Sequence, residues 1–549
     1  MSAVDLDPRL SHRRGGTTPP LPEGTVGADL ARTARTHPDR DALVECASGR
    51  RWTYAQFDAT VDDLARGLLA AGIGASDRVG IWSPNCAEWV LTQYAAARAG
   101  AILVNLNPAY RRHEIAYALQ QSGTRLLVSA TRVKASDYVA LVEAVRDECP
   151  TLARVVYIGT PDWDALVEAG REVPLDRLRE REAALTPDDA VNIQYTSGTT
   201  GRPKGATLSH RNILGNGFQV AEVQGWTEQD RVCVPVPFYH CFGMVMANLG
   251  ATSHGSCIVV PGQLFDPAEA LDAVQAERCS VLYGVPTMFI AELAQLEAHP
   301  GRWDLSSLRT GVMAGSPCPV EVMKRVMAEM GMAEVTIAYG MTETSPVSTQ
   351  TRPDDSLEHR VATVGRVHPH VEVKVVDPDT GDTVPTGTPG ELCTRGYSVM
   401  LGYWEEPERT AEAVDADGWM HTGDLAEMAE DGYLSIVGRI KDMVIRGGEN
   451  VYPREVEEFL YSHPDIEDVQ VIGVPDERYG EELMAWVKLR PGAAELTVGQ
   501  LRAYCDGRLA HYKVPRYLHL VDGFPMTVTG KIRKVEMREE AVKLLGLGQ

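Results

Sequence analysis

Short apolar, β-branched runs recur through the first two thirds of the chain: "VGIWSP", "AILVNLNP", "RLLVSA", "VNIQYT", "RVCVPVP", "SCIVVPG", "SVLYGVP" and "EVTIAYG". Several are separated by stretches with helical patterning, as in "AEALDAVQAER" after Pro267. This alternation predicts stacked α/β layers with mainly parallel sheets, and ligands then belong at strand ends. From about Val371 the texture changes. "VEVKVVDPDTGDTVPTGTPGELCTRG" sets turn residues between short strands, as a small β barrel or twisted antiparallel sheet would. A second change follows "YLSIVGRIKDMVIRGGENVYPREVEEFL", where Pro453 suits the first turn of a helix carrying Val456, Phe459 and Leu460 on one side. The pattern therefore predicts a loose tail over 1–24, a large α/β domain over 25–440 and a smaller α+β domain over 441–549.

Composition narrows the function classes. The chain has 549 residues with 44% hydrophobic and 23% charged content, which is ordinary for a soluble globular protein. A formal charge of −23 argues against a nucleic-acid partner, because that partner needs basic surface. A bound polyanion such as ATP is not excluded, since salt screens distant charges and a few local cations govern one pocket. Ten cysteines with no CxxC pair argue against a zinc knuckle and a secreted disulfide framework, and a cytoplasmic location fits. The opening "MSAVDLDPRLSHRRGGTTPPLPEG" lacks the apolar core of a signal peptide. The most membrane-like stretch, "WVLTQYAAARAGAILVNL", is interrupted by Gln93, Arg98 and Asn105, too polar for a span. No transmembrane segment is expected, and contact with a membrane surface stays open.

Candidate chemistry starts at "YTSGTTGRPKGA", Tyr195 to Ala206. A strand, "VNIQYT", feeds small hydroxyl and glycine residues whose backbone amides can approach an anion, with Lys204 as a compact cation. Lys204 follows Pro203, so the spacing of the common Gly/Lys triphosphatase loop is not met. Taken alone, the stretch also reads as a solvated turn. Downstream lie "FYHCFG", "AGSPCP", "YGMTET", "HTGD", "GRIKDMVIRGGEN" and "TGKIRK".

In this order the motifs resemble the adenylate-forming superfamily of acyl-CoA synthetases, peptide-synthetase adenylation domains and beetle luciferases. The resemblance spans nearly the whole chain, from "LVECASGRRWTYAQFDATVDDLARGL" onward. Through "SGTTGRPKGATLSH", "GELCTRGYSVMLGYW" and "KDMVIRGGENVYPREVE" the chain is similar to fatty-acyl-CoA ligases of the acyl-CoA synthetase family member 2 type. The resemblance implies a large AMP-binding domain and a smaller, mobile C-terminal domain. It implies a two-step reaction in which a carboxylate becomes acyl-AMP at the expense of ATP, with Mg²⁺, before CoA displaces AMP.

By the same resemblance, Thr196, Ser197, Gly198, Thr199, Thr200, Gly201 and Lys204 hold the β and γ phosphates, and Thr342 meets the α-phosphate. Glu343 is similar to the magnesium ligand, one carboxylate among phosphate oxygens and waters. Tyr339, Gly315 and Ser316 correspond to the adenine site, Asp424 to the ribose acceptor, and Arg439 to a partner of ribose or phosphate. Lys531 resembles the lysine that bridges the carboxylate and the α-phosphate. Lys441 matches a hinge, and Gly447 and Gly448 give pantetheine room beside the backbone. His240 borders the acyl pocket and thiol channel, with carboxylate orientation and simple packing or gating both open.

Only ten lysines stand among 53 basic residues, and Lys204, Lys441 and Lys531 fall at motif positions. Met244, Met246, Met313 and Met341 are expected to line an adaptable apolar tunnel or to fill the core. With no polar specificity residue evident, the expected substrate is an unsubstituted medium- to long-chain acid. Loading of a carrier-protein phosphopantetheine arm is the alternative acceptor chemistry, and nucleotide binding without turnover is the non-catalytic alternative.

Overall fold

A computed structural model describes residues 7–196, 203–316, 318–447, 449–526 and 532–547. Every apolar run named above forms a strand, from Arg78–Trp82 to Glu334–Gly340. The chain divides into two compact units, Arg13–Val373 with Thr394–His421, and Met1–His12, Lys374–Cys393 with Thr422–Gln549.

Among the described residues, two large sheets build the first unit. One has the order Gly402–Tyr403, Lys204–Ser209, Ala190–Thr196, Ile102–Asn105, Arg78–Trp82, Leu126–Ser129, Arg154–Tyr157. The other runs Arg366–Val367, Val347–Gln350, Glu334–Gly340, Thr310–Ala314, Val281–Gly284, Arg231–Cys233, Cys257–Val260, Asp41–Glu45, Arg50–Thr53. Pairing is parallel in the middle of each sheet and antiparallel toward one or both edges. Parallel strands need crossovers, and the helices that make them cover both sheet faces, which is why these strands are apolar throughout.

Side-chain alternation then sorts the core into layers. Val312 and Ala314 face a central cluster shared with Val79 and Leu103 of the other sheet, and helices Val26–Thr36, Tyr54–Ala70, Ala87–Arg98 and His210–Val223 fill it. Met313, between them, faces outward to helices Pro267–Glu277, Pro286–Ala298 and Val320–Glu329. Trp82, Val104 and Ile193 face a third cluster under helices Arg112–Ser122 and Tyr138–Val145. The result is five layers, helices outside and between two sheets.

The membrane-like stretch becomes the central helix Ala87–Arg98 and the strand Ile102–Asn105, buried throughout. A helix enclosed on all sides is apolar all round, and its few polar groups must find partners. Gln93 Nε2 donates to Met244 O at 3.0 Å, and the fully buried Arg98 pairs with Asp58, Asp62 and, at 3.3 Å, Glu182. No described helix is long and apolar enough to cross a membrane.

The second unit is α+β. Its long hairpin, Ile466–Asp476 with Gly480–Leu489, takes Tyr517–Leu520 as a parallel neighbour and carries helices Pro453–Leu460 and Lys534–Leu545. Val456 and Leu460 are buried in its core, with Phe459 packed against it.

The opening segment departs from expectation. Within the described part of the expected loose tail, residues 7–24, Ser11 N–H donates to Val384 O at 2.8 Å, His12–Arg14 is a strand, and Gly15 N–H donates to Val371 O at 2.8 Å. Polar, glycine-rich composition read as looseness, but backbone pairing needs no apolar side chain. The first helix follows at Val26, capped by Thr25.

Close strand packing leaves no room for a methyl group at Gly311, whose added Cβ would lie 1.9 Å from Leu282 O. Gly311→Ala should cost about 1–3 kcal/mol. Gly16→Ala, with nothing within 4 Å of the new carbon, should stay within about 0.5 kcal/mol. Urea-unfolding midpoints of the two variants check the contrast.

Candidate active site

The glycine-rich stretch joins adjacent antiparallel strand ends, since Thr196 pairs with Lys204 across Ala190–Thr196 and Lys204–Ser209. Ser197, Gly198, Thr199, Thr200 and Gly201 lie outside the described residues, but both flanks point to one place. Thr196 Oγ1 donates to Glu343 Oε1 at 3.4 Å. Tyr403 OH donates to the same oxygen at 2.9 Å, and Lys204 Nζ stands 4.7 Å from the centre of the Tyr403 ring. Burial and the Glu343 charge push the Tyr403 phenol up, so it remains a donor at neutral pH.

Glu343 sits in the 3₁₀ turn Thr342–Thr344, just past the strand Glu334–Gly340, and is 5% exposed. Hydrogen bonds hold this turn on several sides. Met341 N–H donates to Thr344 Oγ1 at 3.1 Å, Ser345 Oγ to Ser398 O at 2.6 Å, and Met400 N–H to Glu343 O at 2.9 Å. A Cβ at Gly340 would lie 1.8 Å from Pro346 O, so glycine alone fits before the turn. Among the described residues no cationic side chain forms an ion pair with Glu343; its contacts are hydroxyls.

Gly315, Ser316 and Tyr339 share one sheet edge. Ala314 pairs with Ala338 in parallel strands, so the backbone of Gly315 and Ser316 leaves beside the half-buried Tyr339. Gly315 has φ +90°, a left-handed conformation that favours glycine.

His240 is half-buried in the turn before a π-helical segment, Phe242–Leu249. Its Nδ1 accepts Phe242 N–H at 3.2 Å, which leaves Nε2 as the protonated nitrogen of the neutral ring. Next to it, the buried Cys241 thiol donates to Gln194 Oε1 at 3.1 Å and lies against Thr342. Gln194 and Asn105 both donate to Met244 Sδ, at 3.0 and 3.1 Å. Gln194, Cys241, Asn105 and Tyr403 were not among the site residues expected from the sequence, although Asn105 stood out as a polar break and Tyr403 lies in "GELCTRGYSVMLGYW". Gln194 left a signal, since it stands two residues before Thr196 on the same strand face; nothing in the sequence tied Tyr403 to Glu343, sixty residues away.

The second unit joins two other expected residues. Asp424 and Arg439 are cross-strand partners in the hairpin Met420–Met428 with Leu434–Arg439, and Arg439 Nε donates to Asp424 Oδ1 at 2.9 Å. Asp424 is buried while the arginine is largely exposed. Lys441 is exposed in the short turn Ile440–Asp442, and Gly447 is exposed at φ +62°. Gly448 and Lys531 lie outside the described residues.

Residues 30–404 match the AMP-binding enzyme family, and residues 455–531 match the AMP-binding enzyme C-terminal domain. The chain belongs to the AMP-binding enzyme family. YngI of Bacillus subtilis (strain 168), provisionally named an acyl-CoA synthetase, is 48% identical over 548 residues, 96% of this chain and 99% of that one. The medium-chain acyl-CoA ligase ACSF2, mitochondrial, of Danio rerio is 44% identical over 557 residues, 98% of this chain and 91% of that one. The ATP-bound crystal structure of MatB from Rhodopseudomonas palustris superposes with a TM-score of 0.84 at 30% identity, covering 95% and 100% of the two chains.

In this AMP-binding enzyme the four methionines do not share a tunnel. Met244 and Met246 lie in the central layer with Met341 at its margin, whereas Met313 packs on the opposite face of its sheet. The reason is strand alternation, which sends Met313 away from Val312 and Ala314.

Burial pushes the Cys241 thiol up to about 12. At pH 7.5 its thiolate fraction is below about one part in ten thousand, so native enzyme treated with iodoacetamide should stay unlabelled at Cys241 and label only after unfolding. Peptide mass spectrometry checks this.

Proposed function

We propose that the protein activates a medium- to long-chain carboxylic acid as acyl-AMP, releasing pyrophosphate, and then passes the acyl group to CoA with loss of AMP. The observation that carries this reading is the buried Glu343 carboxylate, met by the hydroxyls of Thr196 and Tyr403 beside Lys204, at the mouth of the glycine-rich stretch. The ACSF2 and YngI names support the ligase chemistry and the CoA acceptor, and the medium-chain name supports the acyl preference. Ten free cysteines suit a reducing compartment such as the cytoplasm.

The first step brings an anion against a polyanion, so donors and cations must already stand where charge builds up. In this reading Thr196, Ser197, Gly198, Thr199, Thr200, Gly201 and Lys204 take the β and γ phosphates, and Thr342 the α-phosphate. The Glu343 set is all hard oxygen and lacks a cationic partner among the described residues, which fits magnesium. Magnesium, when bound, neutralises phosphate charge. Tyr339, Gly315 and Ser316 take adenine, and Asp424 accepts from the ribose hydroxyls with Arg439 at its side. Lys531 bridges the attacking carboxylate and the α-phosphate. His240 presents Nε2–H, which suits orienting that carboxylate. For transfer, a turn about Lys441 brings Gly447 and Gly448 beside the adenylate, and the CoA sulfur attacks the acyl carbon.

Lys531→Ala should lower acid-dependent ATP–pyrophosphate exchange by about a hundredfold or more, while transfer from supplied acyl-AMP to CoA stays within about twofold. Equal loss in both assays contradicts the assignment. Lys441→Pro should spare exchange and slow transfer, because proline stiffens the turn. Across acids from acetate to palmitate, kcat/KM with CoA should climb by about three- to fourfold per methylene until the pocket is filled. Acyl-CoA is read by mass, with benzoate as control; a flat profile contradicts the chain preference.

A further inference from the structure

In the second unit the strand Ile466–Asp476 pairs with Gly480–Leu489 on one side and with no other strand among the described residues. Such an edge leaves alternate N–H and C=O groups pointing off the sheet, and burial makes leaving them unpaired costly. At the fully buried Val471 both groups are met by side chains. Val471 N–H donates to Glu457 Oε1 at 2.7 Å, and Lys534 Nζ donates to Val471 O at 3.1 Å. Glu457 and Lys534 also pair with each other at 2.6 Å, with side chains only 7% and 17% exposed. Glu457 comes from helix Pro453–Leu460 and Lys534 opens helix Lys534–Leu545, and both helices pack on this strand. The ion pair therefore stands in for a neighbouring strand and ties two helices to one edge.

Lys534 is three residues beyond Lys531. On either side of residues 527–531 the described backbone is paired: Met526 bridges Ile532, and Arg533 N–H donates to Pro525 O at 2.8 Å. The next residue is Lys534, held in the core. Elsewhere in this unit Lys513 with Glu455 and Arg516 with Asp476 each have a half-exposed partner, whereas Arg446 with Glu482 is as enclosed as this pair. A compact ammonium suits the three-way contact, since its donors fan out from one point, where a guanidinium is a flat fork.

We propose that Glu457 and Lys534 are a positioning pair for adenylation: by fixing the exit of residues 527–531 to the edge of the sheet, they set where the Lys531 ammonium is delivered. This rests on the role given to Lys531 above. Neither residue touches the reacting atoms in the scheme, so their effect falls on the step that uses Lys531 and not on thiol transfer.

The test uses the full-length enzyme with Lys534→Met, Lys534→Gln, Lys534→Arg and Glu457→Gln, checked for folding by circular dichroism. Acid-dependent ATP–pyrophosphate exchange and transfer from synthetic acyl-AMP to CoA are measured on each. Misplacing a group by about 1 Å costs up to about a hundredfold, so the Met and Gln variants at 534 should lose about ten- to hundredfold in exchange with transfer kept within about twofold. Lys534→Arg, which keeps the charge but replaces the compact ammonium with a flat fork, should recover exchange only in part, to a level between the wild type and Lys534→Gln. If exchange is unchanged, or both half reactions fall by one factor, the proposal is overturned. Where Lys534→Met does not fold, Lys534→Gln and Glu457→Gln decide by the same split. Lys531→Ala run in parallel separates the two ideas: exchange that survives it defeats the underlying role, whereas exchange lost there but kept in Lys534→Met defeats only the positioning pair.

Discussion

Parallel strand pairing between Thr310–Ala314 and Glu334–Gly340 brings two chain segments to one edge at the same level, and the candidate site of the first unit is assembled there. Strands that run the same way must finish on the same side, so the residues just past their ends are forced into proximity. Gly315 and Ser316 follow one strand, and Thr342 and Glu343 follow the other. In the second sheet, Ala190–Thr196 ends beside the start of Lys204–Ser209, and Thr196 reaches Glu343 from there. Slipping one strand by a residue would turn these side chains to the other face.

Glu343 is the buried carboxylate of this candidate site. A carboxylate taken out of water is costly unless its charge is met, and here hydroxyls meet it without an ion pair among the described residues. Lys204 is held close by the face of the Tyr403 ring instead. The phenol thus holds the carboxylate with one end and the ammonium with its face. A net charge of −23 is compatible with anion binding because this local arrangement, not the sum over the surface, sets the field at the site.

The layer behind the site is equally constrained. Helices enclosed between two sheets are shielded from water, so a buried polar side chain gains by finding a partner within the layer. Cys241 with Gln194, Asn105 with Met244 and Arg98 with its acids obey that rule. In the second unit the same accounting explains Val471, whose backbone groups are satisfied by Glu457 and Lys534. Where a strand neighbour is missing, side chains supply the partners.

Much of the fold was legible because it is local. Apolar runs predicted the strands, Pro453 marked a helix start, and the ordered motifs pointed to Thr196, Lys204, Glu343, Asp424 and Arg439. The loose tail was misread because backbone pairing at Ser11 and Gly15 leaves no trace in composition. Of the two readings of the methionines, core filling holds for Met313, which lies in a strand whose facing is set by register and packs in a buried cluster. By itself the sequence determined which segments are strands and helices and which short stretches resemble the family's motifs, since those depend on near neighbours. Only the tertiary structure decided that Tyr403 serves Glu343, that Cys241 meets Gln194 and that Lys534 caps Val471, since each joins residues whose meeting depends on how sheets and helices stack.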